Sequence, residues 1–145
     1  MFLLRLKNFI ATAGALLLAL SFVFFSQVLS VSRFASLDGE RSFYLKSTSS
    51  QALVKQKLAP WEVFAIKGES IVFPCEDREE TLAALTKKYG AKILFEENAS
   101  GSISYYCITS RWSDGIKVNG VFVNLHIAFN GKQCAVGSPL LFGGF

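Results

Sequence analysis

His126 is the only histidine in the chain, and Cys75, Cys107 and Cys134 are its only cysteines. Two chemistries could use these four residues. A zinc site would need all of them to converge. Zinc sites favour close ligand pairs of the C-x₂₋₄-C kind, because one turn then presents two ligands together. No pair here has that spacing. A thiol nucleophile would need Cys107 or Cys134 beside His126, with the imidazole as base. It would also need a cleft, an orienting group and an oxyanion hole. The stretch around His126 reads "VNLHIAFNGK", a strand without a glycine-rich elbow. The plainer reading makes His126 a sheet histidine and the cysteines small buried hydrophobes. Three disulfide pairings remain open to three cysteines, and spacing does not choose among them.

Other chemical signatures are absent from the sequence. There is no G-x-S-x-G, H-E-x-x-H, P-loop or G-x-G-x-x-G. Glu96 and Glu97 are adjacent on a strand end, so their side chains diverge to opposite faces and do not act as an acid/base pair. Asn98-Ala99-Ser100 matches a glycosylation sequon in a hairpin loop. No catalytic residue, metal or cofactor is therefore assigned. The candidate binding residues are Asn124, His126, Ser138, Pro139, Leu140, Phe142 and Phe145. The first two face the polar side of a strand. The others belong to an apolar C-terminal tail, "GSPLLFGGF", which Gly137 and Pro139 turn back onto the domain. Such a tail docks as a strand or plug, or binds a partner through its carboxylate or by strand addition.

The elements that position these residues follow from patterning. No charged side chain occurs from Asn8 to Ser32. As a helix that run spans the ~30 Å bilayer core. A signal-peptide apolar core is usually only about 7–15 residues long, so an uncleaved signal-anchor is the better fit. Arg5 and Lys7 place its N-terminus in the cytoplasm and the rest of the chain outside. The organisation is then residues 1–32 as cytoplasmic tip and anchor, 33–41 as juxtamembrane linker, and 42–145 as an extracytoplasmic domain. Of the net charge of +4, residues 33–145 carry +2 from 13 bases and 11 acids. That balance does not suit nucleic acid.

Within the domain, "SFYLKS" reads as a strand, and "TSSQALVKQKL" as a helix or an edge strand ended by Pro60. "EVFAI" and "ESIVF" flank Lys67-Gly68, which predicts a hairpin. Asp77 as N-cap, Glu80 at N3 and Gly90 as the stop predict a helix between them, with Leu82, Leu85 and Tyr89 on one face. Strands follow on either side of Asn98–Gly101, Asn119-Gly120 and Asn130-Gly131. The fold class is α+β: a mostly antiparallel sheet with one helix across a face. In "VFVNLHIAF", alternation points Val121, Val123, Leu125, Ile127 and Phe129 to the core, and Phe122, Asn124, His126 and Ala128 to a more polar face.

"VNLHIAFNGKQCAVGSPLLFGGF" resembles the C-terminal part of the YwmB-like proteins of spore-forming Firmicutes. These have a V-N-L/I-x-hydrophobic-A strand, a short turn and a hydrophobic-G-S/T-P-hydrophobic segment. The matching positions are Val123, Asn124, Leu125, Ile127 and Ala128, then Val136, Gly137, Ser138, Pro139 and Leu140. The likeness covers the last ~25 residues, and residues 77–110 fit the family's α+β pattern more loosely. It implies an N-terminal export signal or anchor, a fold like that of the TATA-box-binding protein, and an association with sporulation or the cell envelope. It supplies no activity to place on particular residues, and a shared fold does not imply DNA binding. The family's proteins are generally longer. The expected role is a membrane-anchored interaction or structural protein of the envelope whose partner is an envelope protein or ligand. The alternatives are a small envelope thiol enzyme or hydrolase, or an envelope ligand-binding module.

Overall fold

The computed structural model describes residues 1–30, 32–46 and 53–141. The chain forms two units, Met1–Ala35 and Ser36–Phe145. The first holds helix α1 (Phe2–Ser30). Its segment Leu3–Phe25, 23 residues of mean hydropathy 2.0, is long and apolar enough to cross a membrane. Leu3, Phe9, Leu18 and Phe22 are all exposed along it. Thr12 and Ser21 donate to the carbonyls of Asn8 and Leu17, so both hydroxyls are satisfied within the helix. A signal sequence near the N-terminus can also reach this length and apolarity.

The second unit is α+β. Its elements are β1 (Glu40–Leu45), β2 (Leu53–Lys55), a 3-10 helix (Pro60–Ala65), β3 (Ile66–Pro74), α2 (Arg78–Tyr89), β4 (Ala91–Ala99), β5 (Ser102–Thr109), β6 (Ile116–Val118), β7 (Val121–Val123), β8 (Leu125–Asn130) and β9 (Gln133–Ser138). Seven strands form one sheet in the order β2-β1-β3-β9-β8-β5-β4, and β6-β7 is a separate ribbon. Every pairing is antiparallel. Two strands antiparallel to β1 run parallel to each other, so the chain must cross over β1 between β2 and β3. The 3-10 helix lies on that crossover.

Local chemistry explains most elements. Asp77 accepts from the Glu80 amide at 2.9 Å, and Gly90 ends α2 at φ 58°. Asn119 (φ 51°) and Gly120 (φ 80°) form the expected type I′ turn. The β4–β5 turn contracts to Ser100-Gly101, which both have positive φ. At the last hairpin the turn centre moves on by one residue. Asn130 pairs with Gln133, and the positive φ falls on Gly131. "LVK" resolves as the edge strand β2; residues 47–52 of that stretch lie outside the described residues. The linker's expected end at 41 shifts, since β1 already starts at Glu40. Gly39 lies under β3, where a β-carbon would sit 2.3 Å from the Val72 carbonyl oxygen.

Three expectations are corrected. The hairpin at Lys67-Gly68 does not form: residues 60–65 are 3-10 helix, and β3 continues through Lys67-Gly68 with a bulge, Gly68 standing opposite Tyr44 and Ile66 opposite Leu45. Glu62 drives this by reaching back to the Ala59 amide at 2.8 Å, which starts a helical turn behind Pro60. The long strand 121–129 is broken at Asn124 into β7 and β8, which join different sheets. Finally, the face holding Asn124, His126 and Ala128 is not a solvated polar face, since all three are buried.

Both faces of the central strands are therefore covered. On one, Ile71, Val136, Ile127 and Tyr105 lie in register across β3, β9, β8 and β5, and all are buried. This face carries α2, whose Leu85 and Tyr89 are buried. Thr109 Oγ1 donates to the Tyr89 carbonyl at 2.6 Å, tying the end of α2 to β5. On the other face, Ser70, Gly137, His126 and Tyr106 lie in register, with Phe95 beyond Tyr106 on β4.

Candidate functional site

Asn124, His126, Ser138, Pro139 and Leu140 do come together, as a clasp on the chain's own C-terminal segment. Asn124 occupies the break between β7 and β8, where the sheet ladder would lose pairing. Its backbone amide still reaches the Cys107 carbonyl at 3.1 Å. Its side-chain amide then replaces a strand partner. Oδ1 accepts from the Thr109 amide, and Nδ2 donates to the carbonyls of Thr109 and Trp112, each at 2.8 Å. Ser138 Oγ donates to the Asn124 carbonyl at 2.8 Å from the end of β9. One buried residue thus joins β5, the 110–115 loop, β8 and β9.

The tail turns back after Ser138, through a cis bond to Pro139. The Leu141 amide then donates to His126 Nδ1 at 3.2 Å. This contact assigns the histidine. Nδ1 is the acceptor, so the proton of the neutral ring is on Nε2. Among the described residues Nε2 has no hydrogen-bond partner. Burial pulls the imidazole down to about 4, so it is neutral at physiological pH. Its ring stacks on Tyr106 at 4.5 Å, and Tyr106 stacks on Phe95 at 4.4 Å. The rings use their faces on each other. Tyr106 donates its hydroxyl to Glu97 at 3.0 Å; burial, then that carboxylate, raises the phenol. Phe142 and Phe145 lie outside the described residues.

Gly137 is what lets the tail lie down. A β-carbon there would approach the Leu140 carbonyl carbon to 2.7 Å and the Leu141 nitrogen to 2.8 Å. These are backbone atoms, so a rotamer change cannot relieve the clash. Gly137→Ala is expected to lift residues 139–141 and break the Leu141–His126 hydrogen bond while β9 persists. Hydrogen exchange at the Leu141 amide should accelerate by about tenfold or more. Unchanged protection would show that the tail does not need that clearance.

The thiols sit elsewhere. Cys107 pairs in register with Leu125 and Cys134 with Phe129. Both therefore point to the α2 face, opposite His126. Both are fully buried, and burial pushes each thiol up to about 12. Cys75 is also buried, and its thiol donates to Thr81 Oγ1 at 3.1 Å. All three cysteines are free. The described residues contain no group of three or more His, Cys, Asp or Glu side chains able to hold a metal ion. Cys107 and Cys134 should resist alkylation at pH 8 in the folded protein and react fully once it is unfolded in urea. Rapid labelling of either in the native state would contradict this burial.

Comparison with models of protein families, with curated proteins and with solved structures found no match.

Sequence patterning missed one buried charge. Glu69, 2% exposed, pairs with Arg41 at 3.3 Å beneath α2, and Arg41 also donates to the Leu37 carbonyl. Once residues 66–74 form a single strand, alternation puts Glu69 on the side of Ile71 and Phe73. The expected hairpin hid that signal. Beside it, a shallow apolar cleft of about 300 Å³ runs between α2 and β3, floored by Phe73, Ala84 and Leu85. Glu80 and Lys88 border it.

Proposed function

We propose that this chain is a membrane-anchored interaction or structural module of the cell envelope, with the α+β domain outside the membrane and no catalytic role. One observation carries the non-enzymatic part: the polar groups of the candidate site hold the protein's own backbone. Asn124 holds Thr109 and Trp112, Ser138 holds Asn124, and His126 holds Leu141. The thiol-enzyme alternative would need Cys107 or Cys134 on the face of His126, and the register directs them to the other. The apolar span Leu3–Phe25, with Arg5 and Lys7 at its N-terminal end, supports the anchor and its orientation. The likeness of residues 123–140 to the YwmB-like proteins supports the envelope setting and a link to sporulation.

The ligand-binding reading draws on the aromatic residues of the sheet. The Phe95–Tyr106–His126 stack favours a structural use of those rings, because the faces they turn to one another are closed to a ligand.

An epitope inserted between Ser100 and Gly101, at an exposed turn, tests the topology. Protease added to intact cells should cut it, while the N-terminus stays protected. Protection of the inserted epitope would overturn the orientation. Release of the domain from membranes, shortened by about 30 residues, would replace the anchor with a cleaved signal.

A further inference from the structure

Among the described residues of the domain, the 3-10 helix carries the most exposed aromatic side chains. Trp61 is 75% exposed and Phe64 is 86% exposed. Side chains three apart eclipse in a 3-10 helix, so the two rings share one outward side. Their neighbours turn inward: Val63 is half-buried, and Glu62 holds both the Ala59 amide and the Lys55 ammonium. The Lys55–Glu62 ion pair brings β2 against the helix. Leu53 lies two residues from Lys55 and therefore on the same side of β2; it too is exposed. Trp61 and Phe64 thus form one apolar patch, and Leu53 is a further exposed apolar side chain on the strand that the ion pair brings against the helix.

The rim of this patch is basic. Lys46 follows the Ala65 carbonyl that its own amide binds, Lys57 leads into the 3-10 helix and Lys67 leaves it; all three side chains are exposed. Residues 46–67 contain four lysines and one acid, a charge of +3. Residues 33–145 as a whole carry only +2, so the remainder is net acidic. The net positive charge of the domain thus lies in the segment that carries its exposed aromatics, with the Glu40 carboxylate, which accepts from Gln56, as an acid at its border. Trp and Phe with lysines around them suit the headgroup region of a bilayer. There the rings enter the acyl boundary and the ammonium groups meet lipid phosphates.

We propose that Trp61, Phe64 and Leu53, with Lys46, Lys57 and Lys67, dock the domain onto an anionic lipid bilayer surface. The covalent link to an apolar helix raises the local concentration of that surface. The proposal deepens the anchored reading, and the two fail separately: a domain on the unexpected side of the membrane could still dock, and an anchored domain could stand free.

The test uses the full chain reconstituted in phosphatidylcholine vesicles with or without phosphatidylglycerol. Trp112→Phe leaves Trp61 as the only tryptophan and keeps a ring beside Tyr89. With anionic lipid, Trp61 emission should shift to the blue, be quenched by brominated lipid and be shielded from acrylamide. High salt should weaken all three effects. Each lysine near an anionic surface is worth roughly fivefold, so Lys57→Glu should lower the docked-to-free ratio by roughly 25-fold. Equal acrylamide quenching in both vesicle types would overturn the proposal. A blue shift that follows protein density and ignores lipid charge would also overturn it, identifying a second copy of the chain as the occupant.

Discussion

Asn124→Ala should lower the unfolding free energy by about 4 kcal/mol, a large share of the roughly 5–15 kcal/mol that stabilises a typical domain. The residue is 1% exposed, and its amide fills three hydrogen bonds with the Thr109 amide and the Thr109 and Trp112 carbonyls. Alanine removes the Asn124 amide from all three of those backbone groups. Each buried unsatisfied group costs about 1–3 kcal/mol, and water reaching the half-buried Trp112 segment offsets part of the total. Thr109 also donates its hydroxyl to Tyr89, so loosening it loosens the end of α2. Asn124→Asp separates hydrogen bonding from shape. A carboxylate can still accept from the Thr109 amide but sets an oxygen against two carbonyls. It should be at least as destabilised as the alanine variant at neutral pH, and should recover partly in acid as the carboxyl protonates. Urea unfolding of the chain in detergent, followed by far-ultraviolet circular dichroism, measures both. A loss below ~1 kcal/mol for Asn124→Ala would mean that water replaces the amide and the site is not a sealed junction.

The second large effect is a pH dependence centred on His126. The folded-state imidazole lies at about 4, below its ordinary value of 6.5, because burial opposes its charge. A depressed histidine binds fewer protons folded than unfolded, so stability is intact above the unfolded value and falls as pH drops from there to about 4. The shift corresponds to roughly 3 kcal/mol by the bottom of that window. Protonation also puts a hydrogen on Nδ1, where the Leu141 amide already points. Two donors then face each other, so the tail should release before the sheet unfolds. His126→Asn offers an acceptor close to the Nδ1 position and does not titrate. The wild type should lose stability relative to this variant between pH 6.5 and 4, and its Leu141 amide should exchange faster over the same window. Parallel stability profiles for the two proteins would rule out His126 as the source.

The local elements were legible in the sequence wherever a short-range rule governs them. Asp77 with Glu80, Gly90, Asn119-Gly120 and the apolar run before Ser32 each act within a few residues. Their outcomes therefore do not depend on what packs above them. The failures share a cause. Lys67-Gly68 has the chemistry of a turn, but the chain takes it up as a bulge in β3 with Gly68 opposite Tyr44, and Glu62 diverts the preceding residues into a helical turn. Along β8 both faces are buried, so alternation loses its usual meaning, and in β7 Val121 and Phe122 are both exposed. Polar residues then go inward when they carry a bond, as Asn124 and Ser138 do.

By itself the sequence determined an apolar helix of membrane length, an α+β domain, one capped helix, the three hairpins after β4, β6 and β8, and a tail that turns back at Gly137-Ser138-Pro139. These are consequences of composition, periodicity and turn chemistry. Only the tertiary structure decided what the candidate residues do. It set the cysteines on the face opposite His126, broke a strand at Asn124 so that a side chain could replace a ladder partner, and closed the tail over Gly137. It also left Trp61 and Phe64 outside. Those outcomes depend on register and on which surfaces cover one another, and both arise from pairings between residues far apart in the chain, which no local pattern encodes.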